Sequence, residues 1–171
     1  FASKRFENIT LTIYTQRPWD EYPQETQFIA SHNDRINIIE TRSSENIERF
    51  KENYSLYEKG DVAIQPSKWE GQGAAVFEPL AMGLPVITID AAPMNEFVQN
   101  NRGLLVNVES FEPITYLSNP DNKMAIVNLD SLIESIKLFA DNPSEVEYRS
   151  VAAREFMQKK FDSNVVGQKW L

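Results

Sequence analysis

Apolar residues along the 171-residue chain alternate between short β-branched runs and stretches with helical spacing. Continuous runs of valine and isoleucine are typical of buried strands, whereas apolar residues three and four positions apart are typical of helices. The alternation predicts an α/β fold, a Rossmann-like parallel sheet of about five strands flanked by helices. The runs predicted as strands are Ile9–Tyr14, Ile36–Ile39, Asp61–Ile64, Pro85–Ile89 and Leu104–Val106.

Helical spacing fills most of the chain between and after these strands. Residues 22–33 have modest helical periodicity, and a stripe of Ile47, Phe50, Tyr54 and Tyr57 predicts a helix with one apolar face that ends near Gly60. The other predicted helices are Val76–Met82, ended by Gly83, then Pro93–Val98, a helix capped within Leu129–Ser131, Ser144–Lys160, and an amphipathic tail over Phe161–Leu171.

Residues 108–126 lack either pattern. They contain Pro113 and Pro120 and have little periodicity, so the sequence predicts a long loop or excursion there.

Composition narrows the class of protein. The 17 basic and 25 acidic residues give a net charge of −8, which excludes a general nucleic-acid binder and a surface that docks on anionic lipid by charge alone. No apolar run approaches the roughly 20 residues of a membrane span. The absence of cysteine and the single histidine, His32, exclude disulfides, thiolate sites and multi-histidine metal sites.

The length predicts one domain over 1–171. We interpret the start at Phe1 as that of a piece of a longer protein, without a visible targeting signal.

One segment, residues 61–90, has the order strand, glycine-containing loop, short helix, glycine, strand. In a parallel sheet, the loop at the carboxyl end of a strand faces the ligand crevice. Gly71 and Gly73 allow main-chain amides to approach a ligand closely, or simply shape a turn. The amino end of the next helix has free N–H groups and partial positive charge, which suit a diphosphate or sugar oxygens.

Two carboxylates bracket this element, Glu70 in the loop and Glu78 in the helix. Carboxylates only accept hydrogen bonds, so they match neighbouring hydroxyls such as a ribose diol, although solvated surface acids are the alternative. A helix that begins at about Ala75 or Val76 tolerates Pro79, because the first four N–H groups have no helical partner.

These residues carry a family resemblance. Glu70 and Glu78 are separated by seven residues and followed by the run Ala81–Val86. The segment resembles the donor-binding, carboxyl-terminal domain of retaining GT-B glycosyltransferases, specifically glycosyltransferase family 4 (glycosyl transferases group 1). The resemblance covers nearly the whole chain except 108–126.

The resemblance implies the role of each site residue. Glu70 would lie beside the donor sugar as the catalytic carboxylate, and Glu78 would hold the ribose hydroxyls of the nucleotide. Main-chain amides of the same turn would contact the sugar and phosphates, and Thr41 and Arg42 would lie near the nucleobase. The donor-binding turn comprises Gly71, Gln72, Gly73, Ala74 and Ala75.

The resemblance also implies a reaction. A hexosyltransferase of this family would transfer sugar from a UDP- or GDP-sugar to a hydroxyl of a glycan, lipid or protein, with retention and with no cofactor or metal ion. The acceptor would bind to an amino-terminal domain absent from this chain. The expected location is the cytoplasm or the cytoplasmic face of a membrane, and the expected process is polysaccharide or glycan biosynthesis.

The sequence departs from the family pattern at Gln72 and Ala74. The family's first strand and its basic diphosphate-binding residues would precede Phe1, so the isolated chain is expected to be inactive. Two alternatives remain open: a non-catalytic nucleotide-sugar-binding or assembly module, and another GT-B enzyme such as a sugar-phosphate or polysaccharide synthase.

Overall fold

A computed structural model describes residues 8–15, 17–31, 33–40, 57–99, 101–115 and 121–168. The chain divides into two compact units, Phe1–Glu52 and Asn53–Leu171.

The first unit contains one parallel pair of strands joined by a helical connection. Strands β1 (Leu11–Thr15) and β2 (Ile36–Glu40) pair from Leu11 opposite Ile36, and a short 3-10 helix and helix α1 (Gln24–Ser31) connect them. Both predicted strands and the helix between them are confirmed. The helix predicted over the stripe from Ile47 to Tyr54 lies outside the described residues.

The second unit contains the segment with the two glutamates. Its elements, in chain order, are β3 (Ala63–Gln65), α2 (Ala74–Ala81), β4 (Val86–Ile89), α3 (Met94–Phe97), β5 (Gly103–Val106), β6 (Val108–Pro113), β7 (Lys123–Val127), α4 (Leu129–Asp141), α5 (Pro143–Phe161) and α6 (Ser163–Gly167).

Strands β3, β4 and β5 form a parallel sheet in that order, and β4 is buried along its whole length. Val86 and Ile87 of β4 belong to different hydrophobic clusters, because neighbouring side chains of a strand point to opposite faces of the sheet. Val86 packs with Leu80 of α2 and Met157 of α5, whereas Ile87 packs with Phe139 of α4. The predicted sheet covered on both faces is therefore confirmed. Among the described strands, β1 and β2 form a parallel pair in the first unit, and β3, β4 and β5 form the parallel sheet of the second.

Of the long loop or excursion predicted over 108–126, the loop is wrong: β6 and β7 form an antiparallel hairpin outside the parallel sheet, with Phe111 opposite Ala125. The hairpin escaped detection because nearly all of β6 is exposed, so no alternation of apolar and polar residues marks it. A bulge between Val108 and Ser110 interrupts the register as well.

The predicted cap of α4 is displaced by one residue. Asn128 caps the helix, and its side-chain oxygen accepts a hydrogen bond from the Ser131 amide at 2.9 Å. Asparagine suits this position because its oxygen satisfies an amide that has no helical acceptor. None of the helices in the described ranges has both the length and the apolar content to span a membrane.

Two arginines anchor the start of β5. The side chain of Arg102 is buried, donates to the Phe97 carbonyl at 2.9 Å and lies 3.8 Å from the centroid of the Phe156 ring. Burial lowers the pKa of this guanidinium. From the helical layer, Arg149 of α5 donates to the Gly103 carbonyl at 2.8 Å. Together these contacts join the start of β5 to α3 and α5.

Close contact with the main chain of β4 leaves no room for a side chain at Gly103. A Cβ added there would lie 2.0 Å from the Val86 carbonyl oxygen, whereas one added at Gly167 meets nothing within 4 Å. Gly103→Ala should therefore lower the free energy of unfolding by about 3 kcal/mol or more. The Gly167→Ala control should change it by less than about 1 kcal/mol. Urea unfolding of both variants measures the difference, and equal stabilities would contradict the packing at β4–β5.

Candidate functional site

The loop between β3 and α2, residues 66–73, leaves the carboxyl end of the parallel sheet. The Thr88 hydroxyl donates to the Gln65 carbonyl at 2.7 Å, and the Gln65 side chain donates to the Ser67 hydroxyl at 2.9 Å. The last residue of β3 is thus fixed to β4 and to the first turn of the loop.

A turn at Gly73 directs the chain into α2. Gly73 has a φ of +71°, in the left-handed region, and its carbonyl accepts from the amides of Val76 at 2.9 Å and Phe77 at 3.0 Å. Only glycine adopts this conformation readily. The helix therefore begins at once, at Ala74, and the amides of Ala74 and Ala75 point out of its first turn.

The predicted start of this helix, at Ala75 or Val76, is too late, and so the reason given for tolerating Pro79 is wrong. With the start at Ala74, Pro79 is the sixth residue of the helix. It lies beyond the four amides that have no helical acceptor, and it has no N–H to donate to the Ala75 carbonyl. The helix is short, and Pro79 is buried in it.

The far end of α2 has the predicted glycine stop. Gly83 has a φ of +83°, the Gly83 amide donates to the Leu80 carbonyl at 3.0 Å, and the Leu84 amide donates to the Pro79 carbonyl at 2.9 Å. This pair of bonds is a Schellman motif, which satisfies the last carbonyls of the helix. Both ends of α2 are therefore set by a left-handed glycine.

Aromatic side chains pack behind the start of α2. Phe77 of α2 packs edge-to-face against Phe97 at 4.7 Å and against Phe161 at 4.4 Å between ring centroids. A Cβ at Gly73 would lie 3.5 Å from the Phe97 ring. Four phenylalanines therefore form an aromatic cluster beside the turn at Gly73: Phe77, Phe97, Phe156 and Phe161.

The hairpin is connected to the loop by a main-chain hydrogen bond. The Ala125 amide in β7 donates to the Lys68 carbonyl at 2.7 Å, and Ala125 is buried in the main core. The hydrogen bond therefore holds β7 of the hairpin beside the loop that follows β3.

The structure places the residues predicted from the sequence in one short segment. Glu70 is half-buried in the loop, Gly73 is buried, Ala75 is half-buried, and the remaining positions of the turn (Gly71, Gln72 and Ala74) are exposed. A Cβ at Gly71 would meet nothing within 4 Å. The segment thus presents its exposed residues and the first amides of α2 at the carboxyl end of the sheet.

Glu78 is half-buried on the same helix. It lies four residues after Ala74, roughly 6 Å along the helix axis. Helical side chains generally tilt toward the amino end of their helix, which here is the end where the loop lies. Thr41 and Arg42, predicted to lie near a nucleobase, are outside the described residues.

Sequence reasoning missed the role of one residue, Tyr57. The sequence predicts it as part of an apolar stripe, yet its hydroxyl donates to Oε2 of Glu78 at 2.8 Å, and Tyr57 itself is half-buried. The signal available in the sequence was the hydroxyl itself, because a tyrosine packed at an apolar face usually finds a hydrogen-bond partner.

Asp90 lies at the same end of the sheet, directly after β4, where its carboxylate accepts a hydrogen bond from the Asn95 side chain at 2.9 Å. A separate shallow depression of about 460 Å³ lies on the outer face of α5. It is lined by Tyr148, Val151 and neighbouring residues and includes none of the glutamates of the loop segment.

Comparison with known proteins identifies the family. The profile of the family described as glycosyl transferases group 1 matches residues 2–116, about two thirds of the chain. That range includes β3, the loop, α2 and both glutamates. A comparison with curated protein sequences finds no match.

Solved structures share the fold. The crystal structure of TarM superposes with a TM-score of 0.68 at 17% identity, covering 98% of this chain and 29% of TarM. An S. aureus TarM variant in complex with fondaparinux, α-GlcNAc-glycerol and UDP gives 0.68 at 18% identity, with the same coverage. The carboxyl-terminal domain of the group 1 glycosyltransferase LpcC from Francisella tularensis gives 0.58 at 16% identity, covering 82% of this chain and 60% of that one.

The present chain thus spans less than a third of TarM and 60% of the LpcC domain. The parallel sheets flanked by helices match the GT-B glycosyltransferase fold of these structures. Together with the profile match, this shows that the chain belongs to the glycosyl transferases group 1 family.

Proposed function

We propose that this chain is the donor-binding domain of a retaining glycosyltransferase that takes its sugar from a UDP- or GDP-sugar. The full-length protein would pass the sugar to a hydroxyl of an acceptor bound by another domain. The observation that carries the proposal is the position of Glu78, half-buried one turn from the start of a helix whose first amides follow the turn at Gly73.

The nucleoside diphosphate would lie across the start of α2. Its phosphates would accept from the amides of Ala74 and Ala75, and the partial positive charge of the helix amino end favours them. The Glu78 carboxylate would accept from the ribose hydroxyls. UDP in the complex of a TarM variant makes UDP the first nucleotide to test.

Glu70 would act on the sugar. In the transfer, the bond from the anomeric carbon to the diphosphate oxygen would break, and a bond from that carbon to the acceptor oxygen would form. The acceptor hydroxyl would pass its proton to the leaving diphosphate. Positive charge develops on the sugar and negative charge on the leaving diphosphate. The half-buried Glu70 carboxylate would stabilise the sugar, while the amides of α2 would stabilise the diphosphate.

Replacement of the ribose-binding carboxylate should weaken nucleotide binding. In the full-length protein, Glu78→Gln should reduce affinity for UDP or GDP about ten- to hundredfold, because a hydrogen bond to a charged group is lost. Calorimetric titration with UDP, GDP and ADP measures this. Glu134→Gln, an exposed position on α4 with the same change of charge, is the control and should bind as the parent does.

Equal affinities for the Glu78 and Glu134 variants would remove the assignment of Glu78. If the parent protein binds none of the three nucleotides, the non-catalytic assembly module becomes the better description.

Replacement of Glu70 should instead slow the reaction. Glu70→Gln should lower kcat about a hundredfold with KM for the donor changed less than about threefold, because the lost interaction strengthens only as charge develops. Initial rates of nucleotide release from UDP-glucose, UDP-N-acetylglucosamine and GDP-mannose measure both constants. A rise in KM with kcat unchanged would assign Glu70 to binding alone.

The donor site is proposed to work without a metal ion, because the helix amides replace the charge that a cation would supply. Addition of EDTA to the full-length protein should leave the affinity for UDP or GDP within about twofold. A loss of binding that Mg²⁺ or Mn²⁺ restores would contradict this.

A further inference from the structure

The hydrogen bond between Tyr57 and Glu78 joins two parts of the second unit that lie 21 residues apart. Tyr57 lies just before the turn that leads into β3, and Glu78 lies within α2. The donor hydroxyl reaches Oε2 of the carboxylate at 2.8 Å, and both side chains are half-buried.

Within the described part of the chain, the side chain that hydrogen-bonds to Glu78 is that of Tyr57, and the ion pairs there involve other acids. Each oxygen of a carboxylate has two lone pairs. The bond from Tyr57 therefore takes up one acceptor position on Oε2 and leaves Oε1, and a second position on Oε2, for other donors.

A glutamate side chain has three rotatable bonds, and a ligand that binds it must normally restrict them at a free-energy cost. The hydroxyl of Tyr57 already restricts Glu78 before a ligand arrives. Tyrosine suits this position because its side chain has only two rotatable bonds before the rigid ring, and its hydroxyl can donate a hydrogen bond.

We propose that Tyr57 is a positioning residue that holds the Glu78 carboxylate ready for a ribose cis-diol. The inference rests on the proposed function, since it assigns to Tyr57 a share of the nucleotide selectivity that Glu78 provides. It also explains why residue 57 carries a hydroxyl, which packing at an apolar face does not require.

The test compares ribose selectivity in the full-length protein and its Tyr57→Phe variant. Calorimetry measures the affinity for UDP and GDP beside their 2′-deoxy and 3′-deoxy analogues. The parent should prefer the ribonucleotide by about tenfold or more. In Tyr57→Phe, ribonucleotide affinity should fall about three- to tenfold, and the deoxy analogues should lose less, so that the preference shrinks.

Two comparisons separate positioning from a merely structural role. Tyr148→Phe removes a hydroxyl that is exposed on α5 and should leave the preference unchanged. In a double-mutant cycle, Tyr57→Phe should cost no further affinity once Glu78→Gln is present, because Tyr57 acts through Glu78. The thermal midpoint of each variant without ligand checks the fold.

The outcomes are distinct. If the parent binds the ribonucleotides without preference over the deoxy analogues, the proposed role of Glu78 fails, and the role of Tyr57 fails with it. If the parent shows the preference and Tyr57→Phe keeps it in full, only the role of Tyr57 is overturned. The same conclusion follows if Tyr57→Phe lowers the thermal midpoint and weakens ribo- and deoxynucleotides equally.

Discussion

The left-handed turn at Gly73 is the constraint on which the site depends. It ends the loop, begins α2 at the next residue, and lets the first amides of the helix point toward the carboxyl end of the sheet. A side chain at this position would be strained by its positive φ, although a Cβ there would only reach ordinary contact with the Phe97 ring. The position of Glu78, one turn further, follows from the helix geometry.

Three separate contacts hold the turn, the loop before it and the helix after it. The aromatic cluster packs beside the turn, and the main-chain hydrogen bond from Ala125 to Lys68 holds the loop against the hairpin. The Tyr57 hydroxyl donates a hydrogen bond to Glu78 in the helix. Each contact comes from a different part of the chain. The site is therefore a product of the folded unit, although its glutamates lie within nine consecutive residues.

The sequence predicts the parts of the fold whose pattern is local. The run of β4 is apolar at nearly every position because both of its faces are covered, and Gly83 marks the end of α2. The start of α2 was missed because its N-cap is a glycine without a side-chain oxygen. The hairpin was missed because an exposed strand needs no alternation of apolar residues, and the role of Tyr57 because it depends on a contact 21 residues away. For the candidate site, the spacing of Glu70 and Glu78 together with the glycines predicts the segment, whereas its distances and hydrogen-bond partners required the structure.

The most direct test of the central claim is a crystal structure of the full-length protein with a bound nucleoside diphosphate, UDP first. The account predicts a carboxylate oxygen of Glu78 within about 3 Å of a ribose hydroxyl and phosphate oxygens at a similar distance from the Ala74 and Ala75 amides. A nucleotide bound elsewhere, with Glu78 making no contact to it, would contradict the account.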